Sequence, residues 1–125
     1  LPEEIAGKGW GQVLELIPLT VYHGANSSAT TEKAHMVFPA AAFAEREGTV
    51  TNFASRVQIQ RRAFAPLGQA LPGWEIVQKL GNALGGDYKY LSAPEVFDNL
   101  ALECKAFRGL SYEKIGSTGI TAGKG

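Results

Sequence analysis

The stretch from Lys33 to Gln58 constrains the fold of this chain more than any other. Met36-Val-Phe38 is an apolar run of strand length, and Pro39 closes it because proline has no N–H to give a ladder. The same proline suits the first turn of a short helix over 40–46, where a missing N–H costs nothing. Gly48 stops that helix and permits positive φ. Thr49-Val-Thr51 then reads as a short strand. In Arg56–Phe64, Val57 and Ile59 alternate with Gln58 and Gln60. One half-apolar and one polar face predict an edge or surface hairpin, not a central parallel strand.

The flanks follow the same local logic. Residues 1–11 carry Gly7, Gly9 and Gly11 around Trp10 and read as a loop or frayed start. Gln12–Leu16 suits the tail of a helix, and Leu19–His23 has the β-branched and aromatic content of a strand. Ser27 or Ser28 can cap a helical turn through Ala29–Ala34. After an irregular crossover over 65–73, Trp74, Ile76, Val77, Leu80 and Leu84 recur at helical period until Gly85-Gly86. Ser92-Ala-Pro-Glu95 is a capping box with an early proline. It opens a helix whose buried stripe is Val96, Phe97, Leu100, Ala101, Cys104 and Phe107. Ser111–Ile115 is one more helical turn. Residues 116–125, with Gly116, Gly119, Gly123 and Gly125, have no core-forming pattern and read as a flexible tail. The expected organisation is one α/β domain over 12–115, itself part of a larger domain. It would hold part of a parallel sheet, a surface hairpin and two trailing helices.

Composition removes several function classes. Lys plus Arg number 12 and Asp plus Glu number 12, so net charge offers no long-range attraction for nucleic acid or anionic membrane. No run of about 18 apolar residues exists to span a bilayer. The chain opens at Leu1 with neither a basic n-region nor an apolar h-region, which is not a signal peptide. A start without Met fits a stretch of a longer subunit. The single Cys104 excludes an internal disulfide, a CxxC pair and a four-Cys metal site. His23, His35 and Cys104 have no metal spacing, so no metal is expected in the chain.

Candidate chemistry is sparse. Glu45 and Glu47 flank a turn, but a general acid needs burial and a partner, and surface acids are the simpler reading. Thr49, Thr51, Asn52 and Arg56 place hydroxyl, amide and guanidinium groups on one tight turn. Such a cluster can bind a phosphate or a pterin edge, and it can equally satisfy its own turn. Gly7, Gly9 and Gly11 lack the preceding strand and the spacing of a dinucleotide fingerprint. Arg56, Arg61 and Arg62 have no aromatic platform in register and read as a solvated strand face. Cys104 sits on an apolar stripe, as an inert core thiol does. No nucleophile elbow is present.

The 33–58 stretch resembles the pattern A-D-V-V-L-P-A-x-x-F-x-E-x-x-G-T-x-T-N-x-x-x-R-x-Q of the molybdopterin oxidoreductase superfamily. That group includes formate dehydrogenases, nitrate reductases and the large iron–sulfur subunit of respiratory NADH:quinone oxidoreductase, complex I. Pro66-Leu-Gly68 with Trp74-Glu-Ile76 is similar to its P-x-G-x-x-x-x-D-W-x-I entry into a helix, with Gly73 in place of the acid. Gly109-Leu-Ser-Tyr112 is similar to its G-I-S-Y turn. His35 stands where Asp is usual and Phe38 where Leu is usual. Phe53-Ala-Ser-Arg56 lacks the doubled arginine of formate dehydrogenases (E-R-R-V-Q) and is closer to T-E-G-R-x-Q of the complex I form, with Ser55 near the Gly.

The resemblance implies a Rossmann-like parallel sheet of the molybdopterin oxidoreductase type, covering roughly 12–119. It implies a structural segment of the NADH:quinone oxidoreductase large subunit, with iron–sulfur clusters held elsewhere and no catalytic or cofactor-binding residue in this chain. Its partners would be the remainder of the same subunit and other subunits of the peripheral arm. That arm lies on the cytoplasmic side of the bacterial inner membrane, or the matrix side in mitochondria, with no direct membrane insertion and no nucleic acid. The alternatives are a fragment of a molybdopterin-dependent dehydrogenase such as formate dehydrogenase, and a non-redox interaction module. In the molybdenum enzyme, Thr49, Thr51, Asn52 and Arg56 would lie near the cofactor.

Overall fold

The computed structural model describes residues 9–123. Of the start expected to fray over 1–11, residues 1–8 lie outside the described residues, and the first helix, α1, spans Trp10–Glu15. Strands β1 (Val21–Gly24) and β2 (Met36–Pro39) run parallel, in register from Val21↔Met36 to Gly24↔Pro39. Parallel strands need a crossover, and helix α2 (Ala29–Lys33) supplies it. Ser28 starts α2 as the serine reading anticipates. Its Oγ accepts from the Thr31 N–H at 3.4 Å, and the Ser28 N–H donates to Thr31 Oγ1 at 2.9 Å. Lys33 pairs with Glu15 and ties α2 to α1. His35 Nδ1 accepts from the Thr20 N–H at 3.1 Å, so the ring performs an acceptor's task where the resembled pattern has Asp.

Past β2 the expected helix over 40–46 is absent. Ala40 forms a parallel bridge with Leu71, and the Ala41 N–H donates to the Leu71 carbonyl at 2.9 Å. Backbone groups held in a sheet ladder cannot also close helical turns. Only a 3-10 turn remains, at Phe43–Glu45, where Glu45 Oε2 accepts from the Ala42 N–H at 2.9 Å.

The hairpin is present as β3 (Gly48–Thr51) and β4 (Arg56–Gln60), antiparallel, with Thr51 opposite Val57. Its surface position is not. A fifth strand, β5 (Ile120–Thr121), pairs with the other side of β4, which makes β4 central and buries Val57 completely. This corrects the flexible tail over 116–125. Residues 116–123 turn back onto β4, the Ala122 N–H donates to the Ser55 carbonyl at 2.8 Å, and the last two residues lie outside the described residues.

Three helices follow the hairpin: α3 (Gly73–Ala83), α4 (Ala93–Glu103) and α5 (Tyr112–Ile115). Gln78 and Asn82, one turn apart on α3, each donate to and accept from the backbone of Tyr90 and Tyr88, pinning the α3–α4 connection to the helix. Ser92 caps α4 by accepting from the Glu95 N–H, and Glu95 in turn accepts from the Leu91 N–H at 2.9 Å. The core gathers Val57, Phe97, Ala101, Ile115 and Ala122, with Ile59 and Phe107 packed against it. It lies between the antiparallel sheet and α4 with α5.

The expected stripes are only half buried. On α4, Phe97 and Ala101 are inside, but Leu100 is 43% exposed, and Cys104 ends the helix half-buried instead of joining the core. On α3 only Ile76 is buried, while Val77 and Leu84, the residue that caps its C-terminus, are exposed. Met36 and Val37, expected inside, are exposed as well. Helical and strand period reports which residues want burial, and among the described residues the packing opposite these is incomplete.

Candidate functional site

Thr49, Thr51, Asn52 and Arg56 do not converge on one point. The turn between β3 and β4 is built by Asn52, whose Oδ1 accepts from the Ala54 N–H at 2.9 Å and the Arg56 N–H at 3.0 Å. The Ser55 N–H donates to the Asn52 carbonyl at 3.0 Å. An asparagine that bonds its own turn is the usual use of this residue type. Arg56 reaches the opposite way. Its Nε and Nη2 donate to the Thr118 carbonyl at 3.1 and 2.6 Å, fastening the entry of β5. Thr51 is exposed at the tip, and Thr49 is half-buried at the base of the hairpin.

Ser55 is the one non-glycine residue with positive φ among the described residues, at 59°. A side chain there costs about 1–2 kcal/mol, which explains why Gly suits this place in the T-E-G-R form of the motif. Ser55→Gly is expected to raise the unfolding free energy by about 1 kcal/mol, the surplus of relieved strain over added chain entropy. Urea unfolding checks it. An unchanged or lower midpoint means the serine contributes something the backbone strain does not outweigh.

A cleft opens at the base of the hairpin. Arg46, Glu47, Thr49, Gln60 and Trp74 line a space of about 250 Å³. A smaller one of about 160 Å³ adjoins it, between Thr49, Trp74, Phe97 and Tyr112. Trp74 Nε1 and the Tyr112 hydroxyl are buried and have no hydrogen-bond partner among the described residues. Aromatic residues carrying a polar tip normally find a partner when buried, so this cleft has hydrogen-bonding capacity to spare, as does the buried Thr20 hydroxyl before β1. Sequence reading missed both residues, because Trp74 sits in a run of helical apolar period and Tyr112 in a short helical turn, and neither pattern marks a site. Gly73 opens α3 beside this cleft. A Cβ there would lie 3.2 Å from His23 Cε1, so the ring already occupies part of the space that the acid of the resembled pattern would need.

Burial, and then the negative charges of Glu47 and Asp98, push the Tyr112 phenol above its ordinary value. The folded protein therefore keeps this proton at a pH where the unfolded chain has lost it. That contribution is intact below about pH 10, the unfolded value, and stability falls as pH rises beyond it. Tyr112→Phe is expected to flatten the loss that sets in as pH rises past about 10, the unfolded value. Denaturant midpoints of both proteins on either side of that pH measure it, and parallel losses would place the titration elsewhere.

Glu45 and Glu47 do not form an acid–base pair. Glu45 is spent on the Ala42 N–H, and Glu47 is exposed at the rim of the cleft. No group of three His, Cys, Asp or Glu side chains that could hold a metal occurs among the described residues. Gly7 of the Gly-rich start lies outside them. In the hairpin turn the Asn52 amide oxygen and the Arg56 guanidinium are engaged with the chain itself, holding the turn and β5. No helix among the described residues is long and apolar enough to cross a membrane.

Comparison with known proteins places these features. The family described as molybdopterin oxidoreductase matches residues 11–83, from α1 through the parallel pair and the hairpin to the end of α3. The alpha subunit of F420-dependent formate dehydrogenase 2 from Methanococcus maripaludis is 42% identical over 93 residues, which are 73% of this chain and 14% of that protein. The alpha subunit of F420-dependent formate dehydrogenase from Methanocaldococcus jannaschii is 39% identical over the same shares. The chain thus spans about one seventh of these relatives, as the 14% shares state. With the family match running over more than half of its residues and through a mixed α/β fold of one parallel and one antiparallel sheet, the chain belongs to the molybdopterin oxidoreductase family.

Proposed function

We propose that this chain is a structural segment of the large subunit of a formate dehydrogenase of the molybdopterin kind, and that it supports the redox centre without holding it. The observation that carries this reading is the 42% identity to a formate dehydrogenase alpha subunit over 73% of the chain. This relationship favours the formate dehydrogenase alternative over the complex I segment that the hairpin motif alone suggested. The scaffolding role is supported by the hairpin chemistry. Asn52 and Arg56, the two strongest polar groups of the candidate turn, spend their bonds on the chain itself. Molybdopterin and iron–sulfur clusters would then be held by other parts of the subunit, with no nucleic acid and no membrane insertion involved.

One observation keeps a second reading in play. The same self-satisfied hairpin, with Ser55 at the glycine place of the T-E-G-R form, suits the large subunit of NADH:quinone oxidoreductase, where a pterin is not expected. The two separate in one experiment on the complete polypeptide. Molybdenum content with formate-driven reduction of an artificial dye is the expected result. Iron without molybdenum, and electron flow from NADH to a quinone once the neighbouring subunits are present, would install the second reading instead.

A further inference from the structure

We propose that the neck of the β3–β4 hairpin, where Phe43 and Phe64 stand exposed beside Arg46, Arg61 and Arg62, docks an acidic segment of a separate partner subunit. That segment sets carboxylates against the guanidinium groups and an apolar side chain against the rings. The inference rests on the reading of the chain as part of a large subunit. It adds where, and by what chemistry, a neighbouring subunit attaches.

The geometry comes from backbone pairing that continues past the strands. β4 ends at Gln60, so Arg61 and Arg62 lie beyond the strand face that residue alternation gave them. Gly48 pairs with Gln60, and the Ala44 carbonyl accepts from the Ala63 N–H at 2.8 Å and the Phe64 N–H at 3.4 Å. Gln60 Nε2 also donates to the Phe43 carbonyl. Arg46 on one side, and Arg61 and Arg62 on the other, fall between these fastenings. The backbone therefore gathers three like charges at one place, which is unfavourable unless an opposite charge answers them.

Among the described residues no such answer is present. The ion pairs there are Lys33–Glu15 and Lys89–Asp87, both elsewhere, and all three arginines are exposed. Glu45 is bonded to the Ala42 N–H, which leaves Glu47 alone beside three guanidinium groups. Arg56, by contrast, is held by the Thr118 carbonyl. Phe43 is 76% exposed and Phe64 60%, although a phenyl ring is stabilised by burial.

The kind of occupant follows from this chemistry. Arginine and aromatic rings are enriched where proteins meet and lysine is depleted, and 43–64 contains no lysine. Nucleic acid and anionic membranes are drawn by an excess of positive charge, and this chain balances 12 basic against 12 acidic residues. A surface that is permanently covered is mostly apolar, like the groove of about 300 Å³ lined by Met36, Phe38, Leu71, Ile76 and Leu80. The arginine-rich neck is of the other kind. It stays solvated until a separately folded partner brings matching charge.

Hydroxyl-radical footprinting of Phe43 and Phe64 tests the assignment, on the complete polypeptide with and without the subunits that copurify with it. Reactivity of both rings is expected to fall several-fold only when those subunits are present. Arg61→Glu combined with Arg62→Glu is expected to weaken the association about 100-fold, as expected for disrupting matched charges at a contact. The urea midpoint of the chain alone should not move, since neither side chain is bonded. Lys105→Glu with Arg108→Glu, an equal charge reversal at exposed residues outside the neck, should leave the association intact. Rings already protected in the complete polypeptide alone make its own chain the occupant, and protection that varies with polypeptide concentration makes it a second copy. Protection by single-stranded DNA or phosphatidylglycerol vesicles points to a polyanion. Each of these overturns the proposal, as does full association of the Arg61/Arg62 variant. Subunit-dependent protection in a complex without molybdenum or formate activity would uphold the docking surface and reject the formate dehydrogenase reading. A formate-active molybdenum complex with both rings still reactive would do the reverse.

Discussion

Phe97→Ala is expected to lower the unfolding free energy by about 3–5 kcal/mol, the range for truncating a buried aromatic ring. Phe97 is 3% exposed on the inner side of α4. Its ring lies 5.9 Å from that of Phe107 in a tilted arrangement and 5.8 Å from that of Tyr112, edge to face. Both geometries favour aromatic pairs, so truncation removes apolar area and two ring contacts at once. It also opens a void between the antiparallel sheet and α4, where Val57 and Ile115 are almost fully buried. Leu100, on the same helix and 43% exposed, is the control. Leu100→Ala should cost under about 1 kcal/mol, as partly exposed positions do. Equal losses at the two sites in urea unfolding would mean that α4 packs by a face other than the one described.

Gly119→Ala is expected to cost about 2–4 kcal/mol and to release β5 from β4. Gly119 has φ 77°, where a side chain is strained, and a Cβ there would lie 2.6 Å from the Val57 carbonyl oxygen and 2.7 Å from Gln58 Cγ. A backbone oxygen cannot swing aside as the end of a side chain can. The strand entry must therefore move, and with it the Thr118 carbonyl that Arg56 holds. Faster hydrogen exchange at Val57, together with a lower urea midpoint, is the signature. Gly48 provides the comparison, because a Cβ there meets nothing within 4 Å. Gly48→Ala should change stability by no more than about 0.5 kcal/mol. A neutral Gly119→Ala would show that β5 contributes little to the fold.

Much of the local architecture was legible in the chain. Ser28, Ser92 and Ser111 each start a helix by accepting from a backbone N–H three residues on, a signal contained within four consecutive residues. The hairpin was legible because Asn52 and its neighbours carry the turn chemistry, and the β1 and β2 runs because β-branched and aromatic content marks strands. The candidate site was legible only as a neighbourhood. Asn52 bonds its own turn locally, but whether Arg56 faces a ligand or its own chain depends on where Thr118 lies, 62 residues away.

Residue order alone settles where most helices begin, where four of the strands run and which residues want burial. Those choices depend on backbone conformation and side-chain type within a few residues of one another. Long-range pairing settles the rest. It turns Ile120–Thr121 from apparent tail into a strand, because the partner groups are on β4 and no local period announces them. It withdraws 40–46 from helix, because Leu71 claims the backbone of Ala40 and Ala41. It brings Trp74 and Tyr112 to one cleft from separate elements. Contacts across long separations follow from which edges and faces meet, and a one-dimensional pattern records only that a residue needs a partner, not which one it gets.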